Sequence, residues 1–202
     1  MVTKDRILEA AAKEIETNGL TQFRVKRVAS DAGISVALLY SYFEDREGLI
    51  AATIVHRFRQ VLIGTAEIFT KPLRNVETPE QLQTALYEMI AEAQSPERDD
   101  ARLLRIESIS FARHNPVARD GLADARRETS TMILDAVRPL AEKKLLKEGM
   151  SPVAFARIWY ALFFGQISLE GEHDLAIPQN EWLTALDTLA DGIISQTVRT
   201  AP

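Results

Sequence analysis

The stretch Val25-Lys26-Arg27-Val28-Ala29-Ser30-Asp31-Ala32-Gly33-Ile34-Ser35-Val36-Ala37-Leu38-Leu39-Tyr40-Ser41-Tyr42-Phe43 decides how this chain is read. Val25, Val28, Ala29 and Ala32 recur at helical spacing, and Gly33 then breaks the pattern. Ser35 is a cap residue, and a second helix follows over 36–42 with Leu39 and Phe43 turned inward. Two short helices crossing steeply need a small residue where they touch, which Ala29 supplies. The tight turn between them needs a residue that tolerates positive φ, which Gly33 supplies, while Ile34 fills the space beneath. This is the pattern of a helix-turn-helix, a unit that projects its second helix into a DNA major groove.

Outward from this stretch the periodicity stays helical. Thr3 to Asn18 places Ile7, Leu8, Ala11, Ala12 and Ile15 on one face, with Gly19 as the stop. Asp45 caps a fourth helix that runs from Arg46 through Ile63 and toward Phe69. Thr78-Pro79-Glu80-Gln81 places a cap, a proline at the first helical position and a glutamine three residues after the cap, starting a helix to about Ala93. Ser95-Pro96 starts a segment to Arg113, and Asn115-Pro116 a long one to about Lys147 that Pro139 should kink or divide. Ser151-Pro152 starts an apolar helix to Leu169, and Pro178 the last, to about Val198. The fold class expected is all-α, with about nine helices. A three-helix DNA-binding head at 1–46 precedes a helical ligand-binding and dimerisation body at 47–202. The unbroken pattern between Leu49 and Leu62 runs from head into body without a linker.

Composition narrows the function. The 202 residues include no cysteine, which excludes disulfides, a thiolate nucleophile and a cysteine zinc site. The hydrophobic share of 46% supports a real core, and no apolar run approaches the ~18 residues of a membrane span. Met1 to Ala10 carries Lys4, Asp5, Arg6 and Glu9, unlike a signal peptide, so the expected location is the cytoplasm with no membrane partner. Net charge is -5, unevenly spread: residues 1–60 hold nine basic and eight acidic residues, which leaves -6 for the remainder. Within residues 1–60, Arg24, Lys26 and Arg27 form a tight basic cluster. His56, His114 and His173 are far apart, and no glycine-rich phosphate loop or serine nucleophile elbow occurs. Glu170, Glu172, His173 and Asp174 are read as a loop and not as a metal site. Neither an enzyme, a cofactor nor a metal is expected.

The first 50–55 residues resemble the TetR family of bacterial regulators. The matching set is Ile7-Leu8-Glu9-Ala10-Ala11, Asn18-Gly19, Val28-Ala29, Ala32-Gly33-Ile34-Ser35, Leu39-Tyr40, Tyr42-Phe43 and Arg46-Glu47-Gly48-Leu49. The resemblance implies a homodimeric repressor whose heads bind a pseudo-palindromic double-stranded operator. Its body would hold a small-molecule effector, and its last two helices would form the dimer interface. It also implies that Tyr40 reaches a phosphate and that Arg46 stands at a basic, phosphate-contacting position. Tyr42 stands where a histidine is common, either donating to phosphate or serving as a partly buried aromatic. Arg24, Lys26 and Arg27 suit backbone contacts that fix register. Where the family often has a threonine cap before the second helix, Phe23-Arg24 stand here. At the start of the reading helix Val36 and Ala37 offer carbon to thymine methyls, and Ser35 and Ser41 offer the nearby hydroxyls. Readout through methyl contacts and DNA shape is therefore expected.

The body is less explicit. Trp159 and Phe163 share one helical face and Tyr160 and Phe164 another, serving a pocket, a dimer seam or the core. Tyr87, Ile109, Arg113 and Met132 complete the ligand-binding candidates, with Met89 and Phe111 as further apolar positions. Arg102, Arg105 and Arg113 either favour an acidic effector or form surface charge opposite Asp100 and Glu107. Trp182, Leu186, Leu189 and Ile193 repeat along the last helix beside Ala185, Ala190 and Gly192, as in a helical bundle interface. The leading function is a ligand-responsive repressor. The alternatives are a protein of similar fold working through a protein partner or an unregulated site, and a small helical enzyme or carrier.

Overall fold

The protein was studied as a computed structural model, which describes residues 3–93, 95–169 and 178–195. Among the described residues there are nine α-helices and no strand. They are α1 (Thr3–Asn18), α2 (Val25–Asp31), α3 (Val36–Tyr40), α4 (Arg46–Thr70), α5 (Pro79–Ala93), α6 (Asp99–Ala112), α7 (Pro116–Glu142), α8 (Pro152–Leu169) and α9 (Gln179–Ile193). A short 3-10 turn, Pro96–Arg98, precedes α6. No described helix is long and apolar enough to cross a membrane.

The helix starts follow the local chemistry. Thr78 Oγ1 accepts from the Gln81 amide at 3.3 Å, and Gln81 Oε1 accepts in return from the Thr78 amide at 3.2 Å, a reciprocal capping box. Asp45 Oδ1 caps α4 through the Gly48 amide at 2.7 Å, and Asn115 Oδ1 caps α7 through the Ala118 amide at 2.9 Å. The ends depart more from the pattern. The expected long helix to Lys147 stops at Glu142: Lys144 takes φ 58°, and the Leu145 amide reaches back to the Leu140 carbonyl at 2.9 Å. Pro139 does not divide α7; close to the helix end its missing N–H costs one bond only. The last helix ends at Ile193 because the chain turns extended there. Lys147 N donates to Ile193 O and Ser195 N to Leu145 O, both at 2.8 Å. The part of the expected helix from 196 to 198 lies outside the described residues, as does the 170–174 loop.

Packing divides the chain into two units, residues 1–62 with 103–127, and residues 63–102 with 128–202. This differs from a division at 46/47, because the core of the first unit continues into α4 through Leu49, Ile50 and Ile54. A second cluster of that unit joins Ala51, Phe58 and Leu62 of α4 to Ala112, Ala118, Leu122 and Ala125. There α7 comes so close to α4 that a Cβ on Gly121 would lie 2.7 and 2.8 Å from the Val55 methyls. The second unit has one core, built around Phe69, Leu82, Leu86, Met89, Leu140, Phe155, Trp159 and Leu186.

Candidate nucleic-acid interface

The helix-turn-helix is assembled on a buried carboxylate. Glu14 sits seven residues after Ile7, on the inward stripe of α1, and is only 5% exposed. Its oxygens accept from Arg27 Nε at 2.9 and 3.0 Å, from Arg27 Nη2 at 2.5 Å, from the Arg24 backbone amide at 3.0 Å and from Asn18 Nδ2 at 2.9 Å. The Arg27 guanidinium first of all, then the Arg24 amide, hold its carboxyl below the usual carboxylate range, against the opposing effect of burial. Arg27 in turn is held protonated above its ordinary range by Glu14. One acid thus fixes the end of α1, the α1–α2 loop and the face of α2. Arg27 Nη2 also donates to the Gln22 carbonyl at 2.7 Å.

Arg46 does similar work from the other side. Its Nη2 donates to the Leu20 carbonyl at 2.9 Å and its Nε to the Phe23 carbonyl at 3.4 Å, and its guanidinium lies 5.6 Å from the Phe23 ring centroid. Nη1 meets Glu47 at 2.5 Å. Two of the cations expected at phosphates, Arg27 and Arg46, therefore direct part of their donors to the α1–α2 loop, while 41% and 39% of their side chains stay exposed. Arg24 and Lys26 are exposed at the start of α2.

The turn is set as its residues require. Gly33 stands at φ +65°, and Ser35 Oγ accepts from the Leu38 amide at 3.1 Å to start α3. Leu39 and Phe43 are buried, and half-buried Val36 packs on the same core. Ala37, Tyr40, Ser41 and Tyr42 are exposed, so Tyr42 is a surface residue and not a buried aromatic. Leu38, absent from the sequence-based site, is 42% exposed, as are Tyr40 and Tyr42. Ser41 Oγ donates to the Leu38 carbonyl at 2.7 Å.

Two residues escaped the sequence reading although each left a signal. A carboxylate on the buried stripe of α1 demands a cation or several donors, and Arg27 is within the adjacent motif. With Leu39 turned inward, its neighbour Leu38, about 100° round the helix, must turn out.

The ligand-binding candidates of the body are divided between the units. Ile109 packs with the Phe58 and Leu122 cluster, and Arg113 is exposed, both in the first unit. In the second unit Met132 is exposed, and Trp159 is fully buried beside Phe155, with ring centroids 6.2 Å apart. The half-buried Tyr87 hydroxyl donates to Asp187, which also accepts from Gln83 Nε2 at 2.5 Å; that carboxylate raises the Tyr87 pKa. The Phe163 side chain lies outside the described residues. Arg105 is buried rather than part of a surface charge pattern.

Residues 7–53 match the family model of "Bacterial regulatory proteins, tetR family". The chain is 22% identical over 174 residues to the HTH-type transcriptional regulator UidR of Escherichia coli K12, covering 86% of this chain and 84% of that one. Over 65 residues it is 31% identical to the HTH-type transcriptional regulator BetI of Burkholderia thailandensis, about a third of each chain (32% and 33%). Among solved structures, a protein described as a TetR-family transcriptional regulator of Rhodococcus sp. superposes with TM-score 0.64 at 25% identity, covering 96% of this chain and 98% of that one. Residues 7–53 thus carry the DNA-binding head of the TetR family, and the chain as a whole is similar in sequence and fold to helix-turn-helix transcriptional regulators of that type.

Proposed function

We propose that the chain acts as a homodimeric repressor, released from a pseudo-palindromic operator by a small molecule bound in its body. The observation that carries this is the outward face of α3, where Ala37, Leu38, Tyr40, Ser41 and Tyr42 stand exposed on a motif held rigid by Glu14 and Arg46. Arg24 and Lys26 supply the phosphate contacts that fix register, with the Tyr40 and Tyr42 hydroxyls beside them. Ser35 holds the helix start. Val36, half-buried, supports the reading surface more than it forms it. Dimerisation uses the last two helices: α8 exposes Ile158 and Ala161, and α9 exposes Ala185, Leu189 and Gly192 at helical spacing. Effector binding shifts the population toward a head spacing that no longer fits successive major grooves, about 34–36 Å apart. The effector site draws on Tyr87 with Asp187 and on Met132, all in the second unit, in the compartment expected for such a regulator, the cytoplasm.

The test is a fluorescence-anisotropy titration against DNA from upstream of the chain's own gene, with nonspecific competitor and over a salt series. Arg24 and Lys26 from each of two protomers give a salt slope of about −4, since each neutralised phosphate contributes roughly 0.9. Tyr40→Ala abolishes specific binding, and Arg24→Gln reduces the slope by about 2. Sequence-indifferent binding to this DNA and to a randomised library would refute the reading.

A regulator without an inducer pocket is the second reading. It is favoured by the complete burial of Trp159, a candidate ligand contact, in the core of the second unit. A metabolite screen by thermal shift separates the two: an inducing ligand that raises Tm while releasing DNA sinks this alternative.

A further inference from the structure

We infer that Leu38, with Ala37 beside it, reads thymine through its C5-methyl group and is the main source of base discrimination in the operator. The inference rests on the DNA-binding reading above and goes one step beyond it, moving the expected thymine-methyl contact from Val36 to Leu38 as the residue that discriminates. Residues on α3 are about 100° apart, so Ala37, Leu38 and Ser41 lie opposite the inward pair Val36 and Leu39. All three are exposed. Two offer only carbon to a base edge. The third, Ser41, has already given its proton to the Leu38 carbonyl.

Leu38 is also held in place. Its amide donates to Ser35 Oγ at 3.1 Å, and its carbonyl accepts from Ser41 Oγ at 2.7 Å and from the Ser41 amide at 3.1 Å. Both of its backbone polar groups are satisfied within the protein, so what it presents outward is an aliphatic side chain on a backbone held in place. Every major-groove base edge carries hydrogen-bonding atoms, but only thymine adds an apolar group, its C5-methyl. Leu38 set against a guanine, cytosine or adenine edge would strip water from polar atoms and return no hydrogen bond. Against thymine it buries methyl on methyl. Val36, half-buried in the head core, is poorly placed to share this role.

The experiment uses the full chain and an operator selected from a random library, with deoxyuridine replacing thymidine one symmetric pair at a time. Uracil keeps the pairing and removes only the methyl. At the positions under Leu38, binding weakens about fourfold per methyl, so roughly fifteenfold for a symmetric pair. Leu38→Ala, an exposed substitution that leaves the head core intact, weakens the thymine operator and loses most of the distinction between thymine and uracil. Equal binding of both operators by the wild-type chain overturns the inference while leaving the regulator reading intact. A uracil penalty that persists unchanged in Leu38→Ala also overturns it, assigning the effect to DNA shape. If no operator is enriched, the DNA-binding reading fails and this inference with it.

Discussion

Removing the Glu14 carboxylate should loosen the DNA-binding head more than any surface substitution there. Glu14→Ala deletes the acceptor of four donors, Arg27 Nε and Nη2, the Arg24 amide and Asn18 Nδ2, from a site that is 5% exposed. Breaking one side of a buried ion pair costs roughly 3–5 kcal/mol. Arg27 is 41% exposed, so water recovers part of its solvation and the figure falls to about 2–3 kcal/mol for the loss of Glu14. For a chain of this size that is a drop in Tm of roughly 4–12 °C, read by calorimetry or circular dichroism at pH 7. The pH dependence makes the test specific. The folded carboxyl titrates below its unfolded value of about 4.3, so its contribution is complete above that value and is lost as pH falls through the folded pKa beneath it. The gap in stability between wild type and Glu14→Gln should therefore be full at pH 7 and shrink below about pH 4. A Tm for Glu14→Ala within about 1 °C of wild type at pH 7, or a gap that does not change with pH, would refute the view that a charged Glu14 organises the motif.

Other substitutions probe other contacts. Gly121→Ala should cost about 1–3 kcal/mol in urea unfolding, since its Cβ would meet the Val55 methyls at 2.7 and 2.8 Å, and Val55→Ala should restore most of the loss. Ser35→Ala, which leaves the Leu38 amide without its cap, should lower stability by about 1 kcal/mol and operator affinity with it; unchanged affinity would show that α3 does not depend on that cap. Trp159→Ala should cost about 3–5 kcal/mol, as for any large core side chain, whereas near-wild-type stability with lost effector response would make Trp159 a ligand contact.

The helix-turn-helix could be read from the sequence because each of its requirements is local. A small residue at 29, a glycine at φ +65° and a serine cap act within a few positions of one another. The proline-led starts of α5, α7 and α8 were legible for the same reason. Helix ends were not, because they depend on distant backbone: α9 ends where residues 193–195 pair with 145–147. The basic cluster was only half legible. Arg24, Lys26 and Arg27 are adjacent in sequence, but what separates Arg27 from the others is Glu14, thirteen residues earlier. The body candidates fared least well, since an aromatic at helical spacing looks the same whether it lines a cavity or fills a core.

The inward use of cations bears on how such a head could be selective. Arg27 serves Glu14, Arg46 serves two backbone carbonyls and Arg57 meets Glu16 at 2.6 Å. A segment of nine basic and eight acidic residues, 1–60, that commits these cations to itself has little charge left for sequence-indifferent attraction to phosphate. Weak nonspecific binding raises the ratio of specific to nonspecific affinity, the quantity that matters among a genome of competing sites. Rigidity works in the same direction, because a motif pinned by Glu14 and Arg46 cannot adjust α3 to fit a wrong base. A carbon-rich reading helix gains little per base, and it can discriminate only if the background is low and the helix is held still. The acid and the two arginines provide both conditions, so the residues that touch no base are the ones that make apolar readout workable.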